Sequence, residues 1–152
     1  MIQRIQSIFL FASLCFLVPL FFAPIAKLIY ETGEIISFNL KGFYITEAGV
    51  TTFISNQYSI LLFGILVCVL NLLIIFVYKS RVLQLRLCIY NILFLTGLTG
   101  VSLFVLFTVQ DVQSVVFGFP AVFPVVSIIL HYLAFRGIRK DELMVLALSR
   151  LR

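Results

Sequence analysis

A chain of 152 residues that is 62% hydrophobic and only 11% charged, with a mean hydropathy of +1.20, is too apolar for a soluble globular domain. Such domains are about half apolar and about a quarter charged. The net charge of +5 is dispersed among apolar runs and forms no basic stripe with interleaved aromatics in a polar context, which excludes nucleic acid as a partner. Cys15, Cys68 and Cys88 lie scattered in apolar runs, with neither metal-ligand spacing nor a disulfide framework.

Four windows free of charge are long enough to cross a bilayer, which takes roughly 20 residues. They predict helices over about 5–26, 58–78, 87–109 and 119–135. The first is longer than a signal-peptide apolar core and no A-x-A site follows it, so it is expected to remain as a helix. Between the first two spans, residues 28–57 are the only segment outside the membrane with room for structure. There Ile36, Phe38 and Leu40 alternate with Ser37, Asn39 and Lys41, the two-residue period of a half-buried strand. Lys41–Gly42 then supplies a turn and Phe43–Thr46 is β-prone, which predicts a short hairpin. "KSRVLQLR" reads as a short turn between the second and third spans, and residues 110–118 as a tight connection. Pro120 and Pro124 stand near the start of the fourth span, where a first-turn N–H needs no partner.

Orientation follows from counting basic residues by side. Arg4, Lys79, Arg81, Arg86, Arg136, Arg139, Lys140, Arg150 and Arg152 fall on one side, with Asp141 and Glu142. Lys27 and Lys41 fall on the other, with Glu31, Glu34, Glu47 and Asp111. The positive-inside rule then places both termini in the cytoplasm. The predicted fold is an all-α membrane protein, residues 1–152 forming a single domain. It is a four-transmembrane-helix bundle with a short β-hairpin in the first outer loop and an amphipathic C-terminal helix on the inner face.

None of the four spans contains Asp, Glu, Lys or Arg, the groups that carry protons or bind ions at depth. Asn71, Asn91 and His131 all fall in the same half of the bilayer and can meet in one polar cluster. Interhelical hydrogen bonding is the plainer reading of that cluster; a lipid-headgroup or proton site is the sharper one. A lone His with two Asn supplies no nucleophile–base pair and too few ligands for a metal, so no enzyme activity, cofactor or metal is expected. Gly64, Gly97 and Gly100 mark close helix packing.

The tail, residues 136–152, is charged and apolar by turns. Arg136, Arg139 and Lys140 form a basic cluster at the membrane exit, and Gly137 is a place for the helix to bend or break. Beyond it Leu143, Met144, Ala147, Leu148 and Leu151 share one helical face. That face suits either the inner leaflet or a protein partner.

The opening "MIQRIQ" (Met1, Ile2, Gln3, Arg4, Ile5, Gln6) and the closing Arg136, Ile138, Arg139, Lys140, Asp141, Glu142, Val145, Arg150, Leu151 and Arg152 resemble a family of small four-helix membrane proteins from Bacteroidota, known as a domain of unknown function. The resemblance covers the whole chain. Ser149 stands where the family commonly has an acid, and "LMVLAL" is more apolar than usual. The resemblance implies an inner-membrane location in a two-membrane cell and no known activity. Taken together, these features point to a non-catalytic subunit or accessory of an inner-membrane complex. Envelope biogenesis or protein export would be its setting, with a Sec-type translocon accessory as one version. The bilayer and other inner-membrane proteins are its expected partners. The alternative is lipid or small-molecule binding and transport between the helices, in a cavity lined by Asn71, Asn91 and His131.

Overall fold

The structure, a computed structural model, describes residues 2–30, 34–47, 50–77, 80–109 and 112–150. Met1, Glu31, Lys79, Asp111, Leu151 and Arg152, named above, lie outside them. Four helices pack side by side: α1 (Ile2–Leu17), α2 (Tyr58–Phe76), α3 (Arg81–Thr108) and α4 (Phe123–Arg150). Each packs on the next in the chain, and α4 closes the ring against α1.

The chain is not all-α. One end of the helices is capped by a five-stranded antiparallel sheet of β1 (Ala26–Tyr30), β2 (Ile35–Asn39), β3 (Gly42–Glu47), β4 (Val50–Asn56) and β5 (Val112–Phe117). The strand order is β4-β3-β2-β1-β5. The expected hairpin is only the middle of this sheet. β1 falls, apart from Ala26, after the expected first span and at the start of the outer loop. The helix of that span ends near Pro19 and Pro24 because proline interrupts the N–H ladder. β5 is the stretch expected to be a tight connection, and it pairs with β1 from Ala26↔Phe117 to Tyr30↔Val112. Lone hairpins are marginal in water, whereas five strands bury a face. Ala26, Leu28 and Phe38 are wholly buried there.

The β2–β3 turn is fixed by its side chains. Asn39 Oδ1 accepts from the backbone N–H of Lys41 at 2.8 Å and of Gly42 at 3.2 Å, the local bonding that makes Asn a turn residue. Gly42 has φ +137°, and a Cβ on it would lie 2.1 Å from the Ser55 carbonyl oxygen. The turn drives Leu40 down onto α2, where its Cδ1 lies 3.2 Å from the position of a Cβ on Gly64.

Buried positions along the helices recur at alternating steps of three and four. They are Gln6, Leu10, Ser13 and Leu17 on α1; Ile60, Gly64, Val67, Asn71 and Ile74 on α2. On α3 they are Gln84, Cys88, Asn91, Leu95, Leu98, Ser102 and Leu106, where the last step alone departs from the alternation, and on α4 Pro124, Ser127, His131, Ala134, Ile138 and Asp141. This spacing is the seam of helices crossing at about 20°. Polar residues occupy many of these inward positions. Large apolar side chains face out instead, among them Leu62 (70% exposed), Leu93 (66%) and Phe104 (70%).

Among the described residues, three helices are long and apolar enough to cross a membrane: Tyr58–Phe76, Arg81–Thr108 and Phe119–Val145. The first helix, expected to be a fourth full span, is shorter; its apolar part is Gln6–Phe21. Two further boundaries differ from expectation. The α2–α3 turn is shorter than "KSRVLQLR", because α3 already begins at Arg81. Gln84 Nε2 donates to the Ile74 carbonyl at 3.2 Å, supplying a partner for one of the last carbonyls of α2, which have none within the helix.

α4 also runs without a break through Gly137 to Arg150, so the expected separate amphipathic helix is instead the end of α4. The glycine serves packing here. A Cβ on it would meet Gln6 Cγ at 3.1 Å, so its bareness lets α1 and α4 approach.

Candidate functional site

All four helices contribute to one polar cluster, and the inward seam is what brings its members together. His131 on α4 is wholly buried, as are Ser13 on α1, Asn71 on α2, Asn91 on α3 and Ser127 on α4. His131 Nδ1 lies 2.9 Å from the Ser127 carbonyl oxygen and 3.0 Å from Ser13 Oγ. Its Nε2 lies 2.7 Å from Asn91 Nδ2. Asn71 Nδ2 donates to Ser13 Oγ at 3.4 Å, and Ser127 Oγ donates to the Ser13 carbonyl at 3.4 Å.

These partners fix the tautomer by chemistry. A carbonyl oxygen only accepts, so Nδ1 carries the proton, and Nε2 accepts from the Asn91 amide. Ser13 was missed in the sequence, and it places a hydroxyl beside an imidazole after all. The geometry still does not activate that hydroxyl. A base must accept the proton of its nucleophile, and Nδ1 faces Ser13 as a donor. Nor does any of the five side chains reach the surface. The cluster is suited to holding four helices in register, and its members are not the walls of an accessible cavity.

Two acceptors in it stand out. Asn71 Oδ1 and Asn91 Oδ1 are buried and have no hydrogen-bond partner among the described residues. An unpaired buried acceptor costs about 1–3 kcal/mol. No group of three or more His, Cys, Asp or Glu able to hold a metal is assembled among the described residues.

A second polar contact lies nearer the other end of the helices from the sheet. Gln6 and Asp141 are both buried, and Gln6 Nε2 donates to Asp141 Oδ2 at 2.8 Å. Arg81 Nη1 donates to the Asp141 carbonyl at 3.3 Å, tying the start of α3 to α4.

Over residues 2–151 the chain matches the family described as a domain of unknown function (DUF4293). The chain belongs to that family. No curated protein matches it. The two ends whose residues carried the resemblance thus meet in this DUF4293 chain through Gln6 and Asp141.

The remaining predicted positions divide. Arg136, Arg139 and Lys140 are exposed on α4. Leu143, Met144 and Val145 follow at 59%, 40% and 50% exposure. Ala147 is exposed too, while Leu151 and the side chain of Leu148 fall outside the described residues. Gly64 faces Phe21 Cζ at 3.3 Å as well as Leu40, and Gly97 faces Phe63 Cζ at 3.3 Å, each distance measured from the position of a Cβ. Gly100 has nothing within 4 Å of that position. Sequence reasoning overlooked Ser13 and Ser127, and named Gln6 and Asp141 only for the charge count and the family resemblance. Seven-residue spacing from Gln6 to Ser13, and fourteen from Ser127 to Asp141, carries the signal of a shared inward face.

Proposed function

We propose that this DUF4293 chain is a non-catalytic integral membrane subunit that docks other membrane proteins through the free end of α4. The inverted pattern supports the membrane setting: polar residues line the helix seam and large apolar ones face outward. On this reading α1 and its following turn make a fourth, shorter crossing. The basic end of the helices, with Arg81, Arg86, Arg136, Arg139 and Lys140, lies in the cytoplasm by the positive-inside rule. The sheet lies on the opposite side, and the membrane is the bacterial inner one.

One observation carries the docking role. Leu143, Met144 and Val145 are successive residues on a continuous helix, 100° apart, and all three are exposed. With Arg136, Arg139 and Lys140 at the cytoplasmic surface, these three residues lie past the bilayer, where a helix lying in the interface would bury one face only. A protein that wraps the helix end can satisfy all three.

The test is affinity purification of the full chain from native membranes in mild detergent, with Leu143→Glu and Val145→Glu in parallel. Surface changes of this kind alter stability by only about 0.5 kcal/mol, so both variants should insert and fold. The reading expects stoichiometric co-purifying membrane proteins with the wild type and their loss with the variants. Recovery of the wild type alone, in full yield, would overturn it.

A further inference from the structure

Where the sheet sits on the helices, the packing leaves an apolar cavity of about 180 Å³ between α3 and α4. Its inner wall is Leu20, Leu98 and Leu106, each at most 2% exposed. Ile25 and Leu40, both buried, close it beneath the sheet. Leu103 (39% exposed), Phe117 (48%) and Val125 (47%) also line it and reach the outer surface. The cavity therefore has a sealed interior and a flank on the lipid-facing side of two helices long enough to cross a membrane.

Its side-chain lining offers no free hydrogen-bond donor. Thr99 and Ser102 are the hydroxyl side chains in the wall, and each is already engaged with its own helix. Thr99 Oγ1 donates to the Leu95 carbonyl and Ser102 Oγ to the Leu98 carbonyl, both at 2.8 Å. A buried water needs two to four polar partners, and an apolar cavity of about 150 Å³ stays dry and takes a hydrocarbon guest. The guest here must come sideways, out of the hydrocarbon, because the sheet covers the other approach.

We infer that this cavity holds a segment of one acyl chain of a membrane lipid, drawn from the leaflet on the sheet side. The inference depends on the membrane setting proposed above and not on the docking role of α4. An acyl chain fits because it is narrow, needs no polar partner and is the chief material facing Leu103 and Val125 in a bilayer. The hydroxyls of Thr99 and Ser102 contribute small size, leaving room that a larger apolar residue would fill.

The experiment reconstitutes the full chain into vesicles of phosphatidylethanolamine and phosphatidylglycerol containing a trace of a phosphatidylethanolamine with a mid-chain diazirine. After illumination, the adducts are mapped by mass spectrometry. They should concentrate on peptides carrying Leu103, Phe117 and Val125, relative to those carrying the more exposed Leu62 and Leu93. Filling the cavity with Ser102→Phe, or with Ala121→Phe at another residue of its wall, should lower labelling at the site about tenfold, the loss of roughly two buried methylenes. Thr99→Val, which removes a hydroxyl without filling space, should leave it unchanged. If the filled variants fail to fold, the adduct distribution in the wild type decides alone. An even distribution over all lipid-facing peptides would mean surrounding lipid only and would overturn the inference. So would labelling that survives filling, a cross-link from this site to a protein chain in its place, or recovery of a different apolar small molecule from it.

Discussion

Gln6, near one end of the chain, donates a 2.8 Å hydrogen bond to the buried carboxylate of Asp141, near the other. Asp141 is 8% exposed and Gln6 4%, so water cannot readily replace either partner. Gln6→Leu should therefore cost about 1–3 kcal/mol by leaving a buried acceptor unpaired. Asp141→Asn should cost less, since an amide still offers an oxygen. Unfolding of the purified protein in detergent, followed by denaturant titration, gives both values; equal losses would show that pairing is not what matters there.

Gly137 tests the same interface by shape. The nearest atom to an added Cβ is Gln6 Cγ at 3.1 Å, on a side chain that can yield. Gly137→Ala should stay within about 1 kcal/mol of the wild type, because alanine favours helix by nearly that much. Gly137→Phe cannot be accommodated and should lose roughly 1–3 kcal/mol through overpacking. If the interface were loose, both variants would be neutral.

The two asparagines of the polar cluster should differ in a way their common chemistry hides. Asn91 donates to His131 Nε2 at 2.7 Å, whereas Asn71 makes only a 3.4 Å bond to Ser13. Both carry an unpartnered oxygen. Asn71→Leu removes that oxygen and little else, so stability should hold or rise. Asn91→Leu strips an imidazole nitrogen of its donor and should destabilise by about 1 kcal/mol, the scale of interhelical bonds in membranes. Thermal unfolding of the two variants side by side would expose a reversed order.

How much of this was legible in the sequence depends on which force wrote it. Uncharged length located the long helices α2 and α3, and the Ile36–Leu40 alternation with Lys41–Gly42 located one strand pair. The sheet's extent was not legible. β1 (AKLIY) abuts an apolar helix and shares its composition, while "VQSVVF" of β5 does not alternate cleanly. Both acquire their strand character from pairing with each other across the fold, which is tertiary information. Of the candidate site, Asn71, Asn91 and His131 were visible as polar residues in apolar runs. Ser13 and Ser127 were not, since serine is unremarkable in a membrane helix until the seam spacing is applied. Gly137 was misread as a break because glycine's lack of a side chain serves flexibility and close packing alike.

At the sheet, Gly42→Ala should be the most damaging single change outside the helices. Its φ of +137° and the Ser55 carbonyl at 2.1 Å from any Cβ combine backbone strain of roughly 1–3 kcal/mol with a direct clash. Faster proteolysis between Phe43 and Asn56 in otherwise folded protein is the expected readout. Unchanged cleavage would mean that the β3–β4 pairing tolerates a shift.

The pairing of β1 with β5 sets a timetable for synthesis. β1 is translated before α2, yet its outer edge waits for residues 112–117, which emerge only after α2 and α3. Until then β1 is itself the edge strand on that side, with Lys27 as its lone charge; afterwards β5 takes the edge position. A ribosome stalled within α3 would leave a nascent chain with an unpaired strand rim, the kind of surface that recruits other strands. The sheet is thus completed by a late event, the last strand arriving beside the first, and the helix ring only afterwards, by α4.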